Sequence, residues 1–128
     1  MNTHSKETDL PIIQITYQVS LDYRKSLEKF PRAHKISLGE YTANCFSQFL
    51  EKIIQTNHLT LKDKRLQNLK DLMALLLSIR LHIRMAKDLR CLSKGQFADF
   101  SRKLDDIQRQ LIGWHKWVKS KLDSAPQP

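Results

Sequence analysis

The sequence predicts an all-α protein, an antiparallel up-down-up-down four-helix bundle. Three observations predict it. Apolar residues recur at spacings of three and four through successive segments. Capping signatures led by a hydroxyl residue stand ahead of three helices. The 128 residues include only three glycines and four prolines, two of these in the last three positions, which leaves little for sheet corners or long loops. The length suits one domain, read as a flexible start at 1–10, a bundle at 11–122 and a flexible tail at 123–128.

The first helix opens at Pro11, where a missing N–H costs nothing because first-turn amides have no helical partner. Ile12, Val19, Tyr23, Leu27 and Phe30 then follow helical spacing, with Thr16 filling the gap, and Pro31 ends the run. A capping box, Ser37-Leu38-Gly39-Glu40, is expected to open the second helix, whose apolar line is Leu38, Tyr41, Cys45, Phe49 and Ile53. Thr60-Leu61-Lys62-Asp63 is expected to open the third, and Ser93-Lys94-Gly95-Gln96 the fourth. The fourth then runs Phe97, Phe100, Leu104, Ile107, Leu111, Trp114, Val118. Connections near 31–35, 57–59 and 91–92 are short, so consecutive helices should pack antiparallel. The last two helices, at roughly 30 residues, would be ~45 Å long and longer than the first two.

The third helix has more apolar surface than one stripe requires. Leu72, Leu76, Ile79 and Ile83 form a core face, Met73 and Leu77 lie to one side, and Leu75, Leu81, Met85 and Leu89 lie elsewhere. Either both neighbouring helices cover this surface, or part of it is a subunit interface formed by Met73, Leu77 and Leu81.

Charge is the other strong signal. Lys and Arg number 22 against 13 Asp and Glu, a formal charge of +9 with a sequence pI near 9.8. Such a balance on a small domain points to a polyanionic partner. The stripe that begins with Met73 and Leu77 continues as Arg80, Arg84 and Lys87, and Arg90 and Lys94 follow, with only Asp88 as an acid between residues 79 and 94. A second concentration, Arg24, Lys25, Lys29, Arg32 and Lys35 against Glu28, lies where helix one turns into helix two. In an antiparallel bundle the ends of helices one and three share a pole, so the clusters can meet. They would hold phosphates with little base specificity and strong salt dependence. The competing reading is a solvated face that keeps the protein soluble.

Catalysis is not indicated. The chain has no glycine-rich phosphate loop and no Glu-x-x-His on its helices. Asp105 and Asp106 are adjacent and therefore point about 100° apart. His34, His82 and His115 stand on different elements, and Cys45 and Cys91 read as buried free thiols. No metal ligand set, cofactor site or catalytic residue is expected. The polar start lacks the apolar run of a signal peptide, and the most apolar stretch, 72–79, is far shorter than the ~20 residues of a membrane span, so the expected setting is cytoplasmic.

Phe30-Pro31-Arg32-Ala33-His34-Lys35, followed by Ser37-Leu38-Gly39-Glu40, resembles the turn and helix start of the Avd family, the accessory variability determinants of diversity-generating retroelements. The similarity continues through Arg80 and Arg84, Ala86-Lys87-Asp88-Leu89, Leu92-Ser93 with Gln96, and Ile107-Gln108-Arg109-Gln110-Leu111-Ile112-Gly113-Trp114, and spans residues 17–120. Gln108 and Ile112 stand where the family often has glycine. Related four-helix proteins encoded in intervening sequences of ribosomal RNA genes share the first turn, and make a basic structural or adaptor protein the alternative.

The resemblance implies a homopentameric barrel, basic outside, that binds a retroelement reverse transcriptase and nucleic acid, chiefly template-repeat RNA and also DNA. Without catalysis of its own it would support mutagenic cDNA synthesis and retrohoming in a bacterial cytoplasm, whether encoded by host or phage. The family's basic lateral surface includes the arginines matched by Arg80 and Arg84. Together with the charge pattern, this nominates Arg80, Arg84, Lys87, Arg90, Arg32, His34, Lys35 and Lys29 for binding nucleic acid or the reverse transcriptase.

Overall fold

The computed structural model describes residues 10–123 and contains four long helices, with no strand among these residues. Helix α1 is Pro11–Ser26, closed by a 3₁₀ turn at Leu27–Lys29. A helical turn at Arg32–His34 and a π-helical stretch at Lys35–Glu40 lead directly into α2, Tyr41–His58. Helices α3, Lys62–Asp88, and α4, Lys94–Asp123, are the long pair at 27 and 30 residues. The described helices run from Pro11 to Asp123, and of the flexible segments expected at 1–10 and 123–128, residues 1–9 and 124–128 lie outside the described residues.

Helix α1 packs on α2 and α4, and α3 packs on the same two, which puts α1 and α3 at opposite corners. The core lies between them. Val19 and Tyr23 of α1, Phe46, Phe49 and Ile53 of α2, Leu72, Leu76, Ile79 and Ile83 of α3, and Leu104, Ile107 and Leu111 of α4 are all but sealed from solvent. Each large apolar side chain so buried contributes about 1.5–3 kcal/mol. Near the pole where α1 and α3 end, Tyr23 is ringed by Phe30, Phe46 and Phe100, at centroid distances of 5.9, 5.3 and 6.0 Å. Its hydroxyl donates to the Gly39 carbonyl at 3.1 Å, which ties α1 to the π-helical lead-in. Burial raises the Tyr23 pKa to about 12, so the hydroxyl stays a neutral donor.

Of the three expected helix starts, only Ser93 acts as one. The Ser93 hydroxyl accepts from the Gln96 amide at 3.1 Å and the Gln96 side chain accepts from the Ser93 amide at 2.9 Å, a complete capping box. Ser37 is no cap, because the chain is already helical from Arg32 and its amides have partners. Thr60 is no cap either. Helix α3 starts after Leu61 without a side-chain cap, and Asp63 instead accepts from the neighbouring Lys64 amide at 3.0 Å. Tyr41, expected in the core, is 52% exposed. The buried face of α2 is centred on Thr42, Phe46, Phe49 and Ile53, which leaves Tyr41 at its edge with its ring 5.2 Å from that of His82.

The surplus apolar surface of α3 resolves into two parts. Met73 and Leu75 are half-buried and pack against the core, whereas Leu77, Leu81, Met85 and Leu89 are 42–60% exposed. No helix among the described residues is long and apolar enough to cross a membrane.

Candidate nucleic-acid interface

Helix α3 ends in a Schellman motif. The Cys91 amide donates to the Ala86 carbonyl at 2.7 Å and the Arg90 amide to the Lys87 carbonyl at 2.9 Å. The residue that makes this reversal takes φ near +63°, where glycine is the usual occupant, but here it is Arg90. The motif turns the chain into α4 and leaves Arg90 exposed at the pole, while Cys91 and Leu92 fold inward and burial raises the Cys91 thiol pKa.

Two hollows flank the start of α4. Lys87, Arg90 and Lys94 line one, together with Asp88 and Ser93. Lys25 and Lys29, from the end of α1, line the other with Gln96 and Asp99. Arg32, His34 and Lys35 lie on the lead-in to α2, with both cations exposed and His34 half-buried. The structure therefore places the two sequence clusters at one pole. Among the described residues, Lys29, Arg32, Lys35, Arg90 and Lys94 form no ion pair.

The stripe along α3 is less uniform than its spacing suggests. Arg84 is the outward member, 68% exposed, with a long 3.9 Å contact to Asp88. Lys87 is 3.5 Å from Asp88 and lies 4.7 Å from the Phe97 ring centroid, so its stem covers apolar surface and its ammonium sits at the rim of the hollow. Arg80 leans the other way. Its guanidinium bonds Asp105 and, at 2.7 Å, Gln108, both on α4.

Acids that single-helix patterns do not reveal are set among these cations. Lys103 bridges Asp22 of α1 at 2.8 Å and Asp99 of its own helix at 3.0 Å. Hydrogen bonds from Lys103 hold both carboxyl pKa values below the usual range, and the bond to Asp22 raises that of Lys103. The spacing of Asp99 and Lys103, four apart, signals half of this in the sequence; the link to Asp22 depends on the helix register. Arg24, which belongs to the cationic cluster in sequence, is turned onto α2, donating to the Ser47 hydroxyl at 2.8 Å.

Of the residues expected at a subunit interface, Leu77 and Leu81 are exposed, and Leu77 lines a hollow at the α3–α4 seam together with Met73, Ile112 and Gln108. Arg80 and Arg84 border their apolar line.

The family model described as bAvd-like matches residues 12–118, nearly the whole described bundle. Neither the characterised proteins nor the solved structures give a significant match.

Proposed function

Because the chain belongs to the bAvd-like family, we propose that it is a noncatalytic accessory protein of a diversity-generating retroelement. It binds nucleic acid, foremost the template-repeat RNA, and the element's reverse transcriptase, and so supports mutagenic cDNA synthesis. The observation that carries the nucleic-acid part is the pole where Lys29, Arg32, Lys35, Arg90 and Lys94 present charge with no acidic partner among the described residues, beside the outward Arg84. Exposed cations without acidic partners attract a phosphate backbone by charge without reading bases.

The apolar line Leu77, Leu81, Met85 supports self-association, with a homopentamer as the form. A ring repeats one basic pole several times, and multivalency lets individually weak contacts hold RNA and enzyme together at high effective concentration. Light scattering is then expected to give a pentamer mass. A monomer at micromolar concentration would refute the assembly.

Salt titration tests the binding. Replacing Arg84 and Lys87 with alanine should lower affinity alike for unrelated RNA sequences, and reduce the log–log salt slope by about 0.7–0.9 for each phosphate no longer neutralised. An unchanged slope in the folded variant would show that these cations only solvate the helix.

A further inference from the structure

The opposite pole is built differently. Helix α1 starts at Pro11, level with Gln110 and Trp114 of α4, and these residues share a hollow. Helix α4 continues for more than two turns past that point to Asp123, so its α1-facing side runs on without a neighbour among the described residues. That side carries Trp114, Trp117 and Lys121, spaced by three and four. Trp114 is half-buried, with the Arg65 guanidinium of α3 at 5.7 Å from its ring. The buried Arg65 Nε has no hydrogen-bond partner among the described residues. Trp117 is 54% exposed, and the Lys121 ammonium lies 5.6 Å from its ring. In sequence, Lys62, Lys64 and Arg65 at the start of α3 and Lys116, Lys119 and Lys121 at the end of α4 outnumber the acids of the same stretches, Asp63 and Asp123.

We propose that this pole is a binding site for single-stranded nucleic acid, in which an unpaired base stacks on Trp117 and the flanking phosphates are held by Lys121 and Arg65. A large aromatic face held out in solvent by a rigid helix has no packing role among the described residues. Every base has a π-face to offer it, whereas a duplex keeps its bases stacked on one another. Lys121 and Arg65 hold positive charge within about 6 Å of the two indoles, where the phosphates of a stacked nucleotide would run. The first pole has the charge but no comparable exposed indole, so the two ends divide the work. One holds backbone of any form, and the other selects unpaired strand. The proposal rests on the nucleic-acid reading above and adds a second site and a strand preference to it.

The test compares oligothymidylate with an abasic oligomer of equal length, using intrinsic tryptophan fluorescence and competition at low salt. The wild type should bind oligothymidylate about tenfold or more tighter, with quenched emission. Trp117→Ala should erase that preference and leave abasic binding unchanged, and Trp117→Phe should keep most of it. An Arg84→Ala/Lys87→Ala variant should weaken both oligomers equally and leave their ratio intact. A wild type that binds both equally, or a Trp117→Ala protein that keeps the ratio, overturns the stacking site alone. Failure to bind either oligomer overturns the broader reading as well. A change in molecular mass caused by Trp117→Ala would assign this face to a second copy of the chain and would also overturn the proposal.

Discussion

Arg80 reaches from α3 to Asp105 on α4, and the pair holds a cation of the candidate surface against the protein itself. A phosphate must displace that carboxylate before it can use Arg80, whereas among the described residues Arg84 and Lys87 pair only with Asp88, at 3.9 and 3.5 Å. Asp105→Asn is therefore expected to tighten RNA binding in the wild type and to give no gain when added to Arg80→Ala. That double-mutant cycle separates release of Arg80 from a general rise in charge. A gain that persists in the double variant would mean Arg80 plays no part.

Arg90 makes the second case, since a non-glycine residue at positive φ stores strain in the cap of α3. Arg90→Gly should stabilise the fold by about 1 kcal/mol in denaturant unfolding and weaken RNA binding at the same time. Stabilisation with unaltered affinity would leave the arginine without a binding role.

Gly39 and Gly113 should respond oppositely to alanine. A Cβ on Gly39 would come within 2.7 Å of Leu27 and 3.0 Å of the Phe30 ring, beside the carbonyl that accepts from Tyr23. Gly39→Ala should destabilise by about 1–3 kcal/mol through overpacking. A Cβ on Gly113 would meet nothing within 4 Å, so Gly113→Ala should gain up to about 1 kcal/mol of helix propensity. Urea melts of both variants check the pair.

Most of the bundle is legible in the sequence because helical phase and buried face are the same information. Val19, Tyr23, Ile79, Ile83, Leu104, Ile107, Leu111 and Val118 fall where their spacing puts them. The Ser37 start fails because a hydroxyl caps a helix only where amides are unpartnered, and the chain is already helical from Arg32; the Thr60 start fails because the helix begins one residue later, with Leu61 at the cap, and neither fact is written in four letters of sequence. Antiparallel connectivity alone assigns the two cationic clusters to one pole. It does not reveal the partners Asp105 and Asp22, since they depend on how far α4 slides along α3 and α1. Trp117 is inconspicuous in the sequence because it lies one residue before the core position Val118, and its exposure follows from the short length of α1.

The Lys103 bridge sets an expected pH response. The folded-state pKa values of Asp22 and Asp99 are lowered, so their contribution is present above the ordinary carboxylate value of 3.8 and lost as pH falls through the lower folded values. The raised Lys103 pKa places its part below the ordinary value of 10.5, lost only as pH rises through the higher folded value. Lys103→Met should therefore flatten the fall in stability below about pH 4. Stability curves of equal steepness in acid would show that the bridge is not coupled to folding.

The central claim, that this protein is an accessory to a reverse transcriptase, is tested most directly by cDNA yield in a reconstituted reaction of the cognate enzyme and its template RNA. Full-length cDNA is expected with the wild-type protein, little with the Arg84→Ala/Lys87→Ala variant, and none without added protein. Equal yield in all three reactions would contradict the account.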